Sequence, residues 1–336
     1  MKYSVIIPIY NRPDELRELL ESVVPQANHD FELIVVEDGS SLSSREVVLE
    51  FEDKLPLTYL YKDNGGPASA RNFGAAKAQG EFLLFWDSDT MLPEGYFDAL
   101  DSYLEAHPDT GLFGGPDKSS DNFSPLQKAI GYSMTSFFTT GGIRGGKRKI
   151  SKFIPRSFNM GVRKDIFDSV NGFAPMRFGE DMDFSMRVME VLTDKNQCAL
   201  IPDAALYHKR RGTIEQFYRQ VRNSGRARID LTLRHKGSLK LVHLLPFLFT
   251  LGSFCLLIAS VAFLSLWPLA PLALYAVLLF LDASIKEKSP YIGLLSVVVA
   301  FVQLYGYGLG FVSNWWLRCV LRRGLVSNID NDKFYR

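Results

Sequence analysis

Two carboxylates, Asp87 and Asp89, follow the apolar run Phe82-Leu83-Leu84-Phe85-Trp86 with one serine between them. If the run is a strand, residues i and i+2 point to the same face, so both carboxylates can face one site. Hard cations such as Mg²⁺ or Mn²⁺ take oxygen ligands and commonly share them with substrate phosphates. A metal held by such a pair suits a diphosphate leaving group. A second acidic cluster, Glu180-Asp181-Met182-Asp183, opens a helix expected over roughly 180–193. Acids there are favoured by the helix dipole alone. They also supply a carboxylate separate from the metal, which could remove the proton from an attacking hydroxyl. His208 precedes Lys209-Arg210-Arg211. It is a structural histidine, a further metal ligand or a contact to diphosphate.

The elements that must position these groups are read from hydrophobic pattern. Residues 1–110 alternate short apolar runs with amphipathic stretches. Strands are expected at 3–10, 31–36, 57–61 and 82–86, and helices from about 13, from 44 to 51 and from 68 to 79. That alternation indicates a mostly parallel sheet covered on both faces. Ligands bind such sheets at the carboxyl ends of the strands. Three strand ends carry polar clusters, Tyr10-Asn11-Arg12, Glu37-Asp38-Gly39-Ser40 and Asp87-Ser88-Asp89. The segment Asn64-Gly65-Gly66-Pro67 opens the third helix. It lacks the Gly-Lys-Ser/Thr of a P-loop and does not fit the dinucleotide fingerprint. Residues 111–155 are rich in Gly, Ser and Lys without a clear period, and read as a long mobile loop able to act as a lid.

The net charge of +1 hides an uneven distribution. Residues 205–240 contain ten Lys/Arg and two acids, Glu215 and Asp230. Residues 241–281 then contain no charged side chain, and neither do residues 289–317. A bilayer core requires about 20 helical residues. The first stretch fits two spans with a turn near 267–271, and the second fits one tilted span. The basic stretch before them suits a solvated face, anionic headgroups or a phosphorylated lipid acceptor. Nucleic acid is not expected, since no recognition module accompanies the basic residues. The N-terminus runs into a strand with no signal peptide. Cys198, Cys255 and Cys319 show no metal-ligand spacing. Three spans after a cytosolic domain would leave Arg318, Arg322 and Arg323 outside, against the positive-inside bias.

Taken in order, Val5-Ile6-Ile7-Pro8-Ile9-Tyr10-Asn11-Arg12, Val35-Val36-Glu37-Asp38-Gly39-Ser40, Asn64 to Asn72, Asp87-Ser88-Asp89 and Gly179-Glu180-Asp181 resemble the family 2 glycosyltransferases. The resemblance covers about residues 1–230. It implies an α/β GT-A fold, a mostly parallel sheet flanked by helices, joined here to C-terminal membrane helices. It divides the chain into a catalytic domain at 1–235, a membrane domain at 236–317 and a polar tail at 318–336. It places Pro8, Tyr10 and Arg12 along the nucleotide, and Glu37 and Asp38 at the base and ribose. Arg71 and Asp87 would border the nucleotide-sugar. Asp89 would ligate Mg²⁺ or Mn²⁺ with His208 as a further contact, and Asp181 would be the base of an inverting displacement. The implied partners are a nucleotide-sugar, UDP-linked above all, a glycan or lipid-linked hydroxyl acceptor, and membrane lipids. The implied location is a membrane, the cytoplasmic one in a bacterium, with the catalytic domain facing the cytosol. One departure is informative. Processive synthases carry Gln-x-x-Arg-Trp after the base, whereas this chain reads Phe217-Tyr218-Arg219-Gln220-Val221-Arg222-Asn223. Polyprenyl-phosphate sugar synthases are an alternative, though their acceptor phosphate needs no proton removed. A membrane scaffold with an inactive nucleotide-binding fold is a non-enzymatic one.

Overall fold

The structure is a computed structural model that describes residues 1–118, 123–140, 153–209 and 211–323. In chain order the elements are β1 (Tyr3–Ile9), α1 (Pro13–Val23), β2 (Phe31–Asp38), α2 (Arg45–Leu49), β3 (Leu57–Lys62), α3 (Pro67–Ala75), β4 (Phe82–Trp86), β5 (Thr90–Met91), α4 (Tyr96–Ala106), β6 (Leu112–Gly114) and β7 (Asp117–Lys118). They continue with α5 (Pro125–Thr135), α6 (Phe137–Thr140), β8 (Asn159–Arg163), α7 (Lys164–Ser169), α8 (Glu180–Val191), β9 (Cys198–Leu200), β10 (Leu206–His208), α9 (Ile214–Arg234), α10 (Leu241–Ala262), α11 (Ala270–Lys286) and α12 (Pro290–Trp315). Their contacts divide the described residues into two units, 1–118 with 153–209, and 123–140 with 211–323.

The first unit is a seven-stranded sheet in the order β3-β2-β1-β4-β8-β6-β9. Strands β3, β2, β1 and β4 run parallel, and β8 is antiparallel to both β4 and β6. β1 and β4 are central and buried on both faces, so their sequences are continuous apolar runs rather than alternating ones. One face packs Leu16, Leu19 and Leu20 of α1 with Phe97 and Leu100 of α4. The other packs Ala70 and Ala75 of α3 with Phe167 of α7, Phe184 and Val188 of α8. A small sheet, β5-β10-β7, lies beyond the end of β4.

Helix α3 stops at Ala75, short of the expected Gln79. The chain turns there because Gly80 must come against β1: a Cβ on Gly80 would lie 2.6 Å from the Ser4 nitrogen. The stretch 111–155 is not one loop. It holds β6, β7, α5 and α6, and α5 begins with a reciprocal capping box between Ser124 and Gln127 around Pro125. The residues 119–122 and 141–152 of that stretch lie outside the described residues.

The second unit is helical. Three of its helical segments, Leu241–Ala262, Trp267–Lys286 and Pro290–Val320, are long and apolar enough to cross a membrane. The first two are separated where the sequence predicts a turn. Helix α9 packs along α12, and α12 is notched to admit it: a Cβ on Gly310 would lie 2.0 Å from the Arg222 carbonyl oxygen.

Candidate active site

The parallel strands bring their carboxyl ends to one edge. Ile9 pairs with Glu37, and Ile6 with Phe85, so the residues after β1, β2 and β4 are neighbours there. Pro8 lies within β1 opposite Val36, with Tyr10 just past the strand end. Asn11 has a positive φ of 54°, and its backbone N–H donates to the Ser40 hydroxyl at 2.9 Å. This contact ties the end of β1 to the loop after β2. Asn11 tolerates that conformation better than most residues do.

Asp87 and Asp89 come together, but not by strand alternation. β4 ends at Trp86, and residues 87–90 form a tight turn. The Thr90 N–H and hydroxyl donate to the Asp87 carbonyl at 3.2 and 2.7 Å. The Asp89 carbonyl accepts from the Lys209 N–H at 2.9 Å, where β5 pairs with β10. That pairing carries in His208. One ligand atom each from Asp87, Asp89 and His208 fall within 4.8 Å of one another. Two carboxylates and an imidazole are a suitable set for Mn²⁺ or Mg²⁺.

The electrostatics agree with a cation there. His208 Nε2 is 3.1 Å from Asp89 Oδ1, and Nδ1 is 3.8 Å from Asp117 Oδ2. Burial works to lower the His208 pKa, but Asp117 and Asp89 outweigh it and push it up to about 10. Arg12 also reaches Asp89, at 3.1 Å, while contacting Glu15 at 2.9 Å. Phe158 stacks on His208 with ring centroids 5.0 Å apart and fixes its plane.

Arg71 joins this cluster to the second acidic group. Its guanidinium is buried and donates to Asp87 at 2.7 Å and to Glu180 at 3.0 Å. It lies 5.5 Å over the Phe173 ring. Gly179, at φ 80°, makes the turn that starts α8 and presents Glu180 and Asp181 from its first turn. Asp181 accepts from the Arg156 Nε on one oxygen and from the Met182 N–H, at 2.8 Å, on the other. The pair titrates apart. Burial and neighbouring Asp181 raise the pKa of Glu180, while for Asp181 the opposing Arg156 overcomes burial and holds it low.

Glu37 and Asp38 lie at the end of β2, each with its own partners. The Glu37 carboxylate accepts from Ser43, the Ser44 N–H and Tyr59. Burial would raise its pKa, but these bonds and Ser40 lower it. Asp38 accepts from the Gly65 and Gly66 N–H groups at 2.9 and 2.7 Å and from Lys62 at 2.7 Å. It organises the Gly-rich turn before α3, where Gly66 has φ 83°. Asp117, Arg156 and Phe158 belong to the site's surroundings without any sequence signal. Asp117 opens the two-residue strand β7, which pairs with β10, and the other two are near the start of β8.

Residues 4–170 match the family model described as "Glycosyl transferase family 2". This segment is a family 2 glycosyltransferase domain. The chain is 26% identical over 213 residues to the minor teichoic acid biosynthesis protein GgaB of Bacillus subtilis, an alignment covering 62% of this chain and 23% of that protein. It is 35% identical over 111 residues to the poly(ribitol-phosphate) beta-N-acetylglucosaminyltransferase TarS of Staphylococcus aureus, covering 32% and 19%. The chain thus spans less than a quarter of the length of these relatives. Among solved structures, the mannosyltransferase PcManGT from Pyrobaculum calidifontis, in complex with GDP-Man and Mn²⁺, superposes with a TM-score of 0.66 at 18% identity. It covers 94% of this chain and 88% of that one. The architecture is the GT-A fold, and the family 2 domain is followed by helices apolar enough to cross a membrane.

Proposed function

We propose that the chain transfers a sugar, with inversion, from a nucleoside-diphosphate donor to a hydroxyl of a membrane-associated or glycan acceptor in cell-surface polymer or glycolipid synthesis. The observation that carries this is the Asp87–Arg71–Glu180 bridge, which joins a metal-competent carboxylate cluster to the helix start bearing a second carboxylate, Asp181. In this proposal residues 1–235 are the catalytic domain on the cytosolic face, 236–317 the membrane domain and 318–336 a polar tail. Pro8, Tyr10, Arg12, Glu37, Asp38, Arg71 and Asp87 line the donor. Asp38 contributes through the Gly65-Gly66 turn that it holds.

Asp89 and His208, with Asp87 beside them, would hold the divalent cation. When bound, the cation neutralises the diphosphate as it departs. Arg12 adds positive charge at the same carboxylate. Asp181 takes the acceptor proton as the acceptor oxygen bonds to the anomeric carbon and the bond from that carbon to the diphosphate oxygen breaks. Arg156 keeps Asp181 ionised, and its hydrogen bond must loosen as the acceptor hydroxyl takes its place. The names of GgaB and TarS favour a cell-surface polymer as the product, and PcManGT shows the fold carrying GDP-Man with Mn²⁺.

The test is a screen of UDP-, GDP- and dTDP-sugars with and without chelator, followed by Asp181→Asn on the active donor. Transfer should require metal, and the variant should lose transfer while retaining nucleotide binding. Near-normal transfer by the variant would remove Asp181 from the role of base.

A further inference from the structure

We propose that α12 does not cross the bilayer. In this topology α10 and α11 are the crossing segments, and α12 lies along the headgroup boundary on the side occupied by residues 1–240.

The packing order of the helices carries the inference. In an up-down-up bundle of three spans, the far end of α12 would meet the far end of α10. The opposite is found. Phe311, near the end of α12, stacks on Phe247, near the start of α10, at 6.0 Å. Thr250 donates to the Leu304 carbonyl at 3.4 Å, and a Cβ on Gly308 would lie 2.8 Å from the Pro246 carbonyl oxygen. At its other end, α12 meets the last turns of α11: Ala300 packs with Leu279 and Ala283, and Gly293 abuts Ser284. The α10 contacts lie in its first half, where the chain would enter a two-span hairpin, and those of α11 run from its end, where the chain would leave, up to Tyr275, which meets Phe301 at 5.8 Å. The remainder of that hairpin, including Ile258, Val261, Leu264 and Trp267, is exposed.

The neighbours of α12 point the same way. α9 runs parallel to it in four-residue steps. Gly306 faces Tyr218, Gly310 faces Arg222, Asn314 donates to the Arg226 carbonyl at 2.7 Å, and Arg318 pairs with Asp230 at 2.9 Å. Helix α9 also carries Arg219, Arg228 and Arg234 and cannot lie within hydrocarbon. The first half of α12 packs on α5 through Ala129, Ile130, Ile292 and Val299, with Ser133 donating to Gln303 at 2.8 Å. α5 is 11 residues long, too short to span. Both polar helices precede the first apolar segment, so they share one side of the membrane. Accordingly 44% of the most apolar stretch of Pro290–Val320 is buried, against 17% in Leu241–Ala262 and 11% in Trp267–Lys286.

Charge follows this topology. Lys236 and Lys240 flank the start of α10, Lys286 and Lys288 the end of α11, and Arg318, Arg322 and Arg323 the end of α12. The α10–α11 turn, 263–269, has no charged residue. All these cations then lie on one side, as the positive-inside bias requires. The uncovered face of α12 presents Leu294, Val298, Leu309, Val312, Trp315 and Trp316. Apolar residues ending in paired tryptophans and arginines suit the boundary between acyl chains and anionic headgroups.

The experiment places epitope tags at both ends of the full chain in sealed inverted vesicles and adds protease outside. Both tags should be digested together, and both should survive in right-side-out spheroplasts. In a Ser265→Cys variant with Cys198, Cys255 and Cys319 replaced by serine, an impermeant maleimide should label position 265 only from the opposite side. A C-terminal tag on the opposite side from the N-terminal tag would overturn the proposal. Labelling of position 265 from the same side as the tags would overturn the assignment of α10 and α11 as crossings.

Discussion

Arg71 holds two carboxylates from distant parts of the chain, and its removal should cost stability before it costs chemistry. The Arg71 side chain is 4% exposed and that of Glu180 is 11% exposed, whereas Asp87 retains 32%. Breaking a buried ion pair by deleting one partner costs about 3–5 kcal/mol, because the remaining charge is left uncompensated. The Asp87 arm is partly solvated and adds about 1 kcal/mol at most. Arg71→Met should therefore destabilise the protein by roughly 3 kcal/mol, at the low end of that range. For a domain of this size that is a drop of about 6–12 °C in Tm. The variant Arg71→Met/Glu180→Gln should recover most of the loss, since the orphaned charge is gone. The pH dependence follows from Glu180, whose folded pKa is already raised and rises further without Arg71. A carboxyl with a folded pKa above its unfolded one destabilises the folded state once it must ionise. The deficit should be smallest in acid and grow as pH rises from the ordinary carboxylate range through the raised value. Thermal unfolding of the full chain in detergent, for wild type and the two variants at several pH values, measures this. A loss below about 1 kcal/mol, or no recovery in the double variant, would refute the bridge.

Two further outcomes follow from the site. Arg156→Gln should shift the acid limb of the kcat/KM profile to higher pH, because Arg156 holds the Asp181 pKa low and Asp181 in its proposed role as base must be ionised. An unmoved limb would detach Arg156 from the base. Mn²⁺ binding should release a proton and weaken as pH falls, because Asp117 and Asp89 push the His208 pKa up to about 10 and a ligating imidazole must be neutral. Titration calorimetry in buffers of different ionisation enthalpy reads that proton directly, and its absence would exclude His208 as a ligand.

The sequence by itself determines the parallel half of the large sheet, β1 to β4, but not β6, β8 and β9. Buried parallel strands must be continuous apolar runs, so β4 is legible to the residue and β1 and β2 to within one or two residues at their ends, where the polar clusters stand. Charge-free length likewise marked the three apolar helices. What the sequence could not supply was anything that depends on non-local pairing. Helix α5 was hidden because its apolar residues, Ala129 and Ile130, pack on α12, more than 150 residues away in sequence. A strand pleat would face Asp87 and Asp89 the same way, but a turn closed by Thr90 and held by Lys209 is what brings them together. Asp117 and Arg156 carry no motif, since each acts only through the charge it faces across the fold. Whether a helix long enough to cross a membrane does so depends on its neighbours, which for α12 include α5 and α9 beside α10 and α11. Local pattern fixes which residues must be buried, but only tertiary structure decides against what.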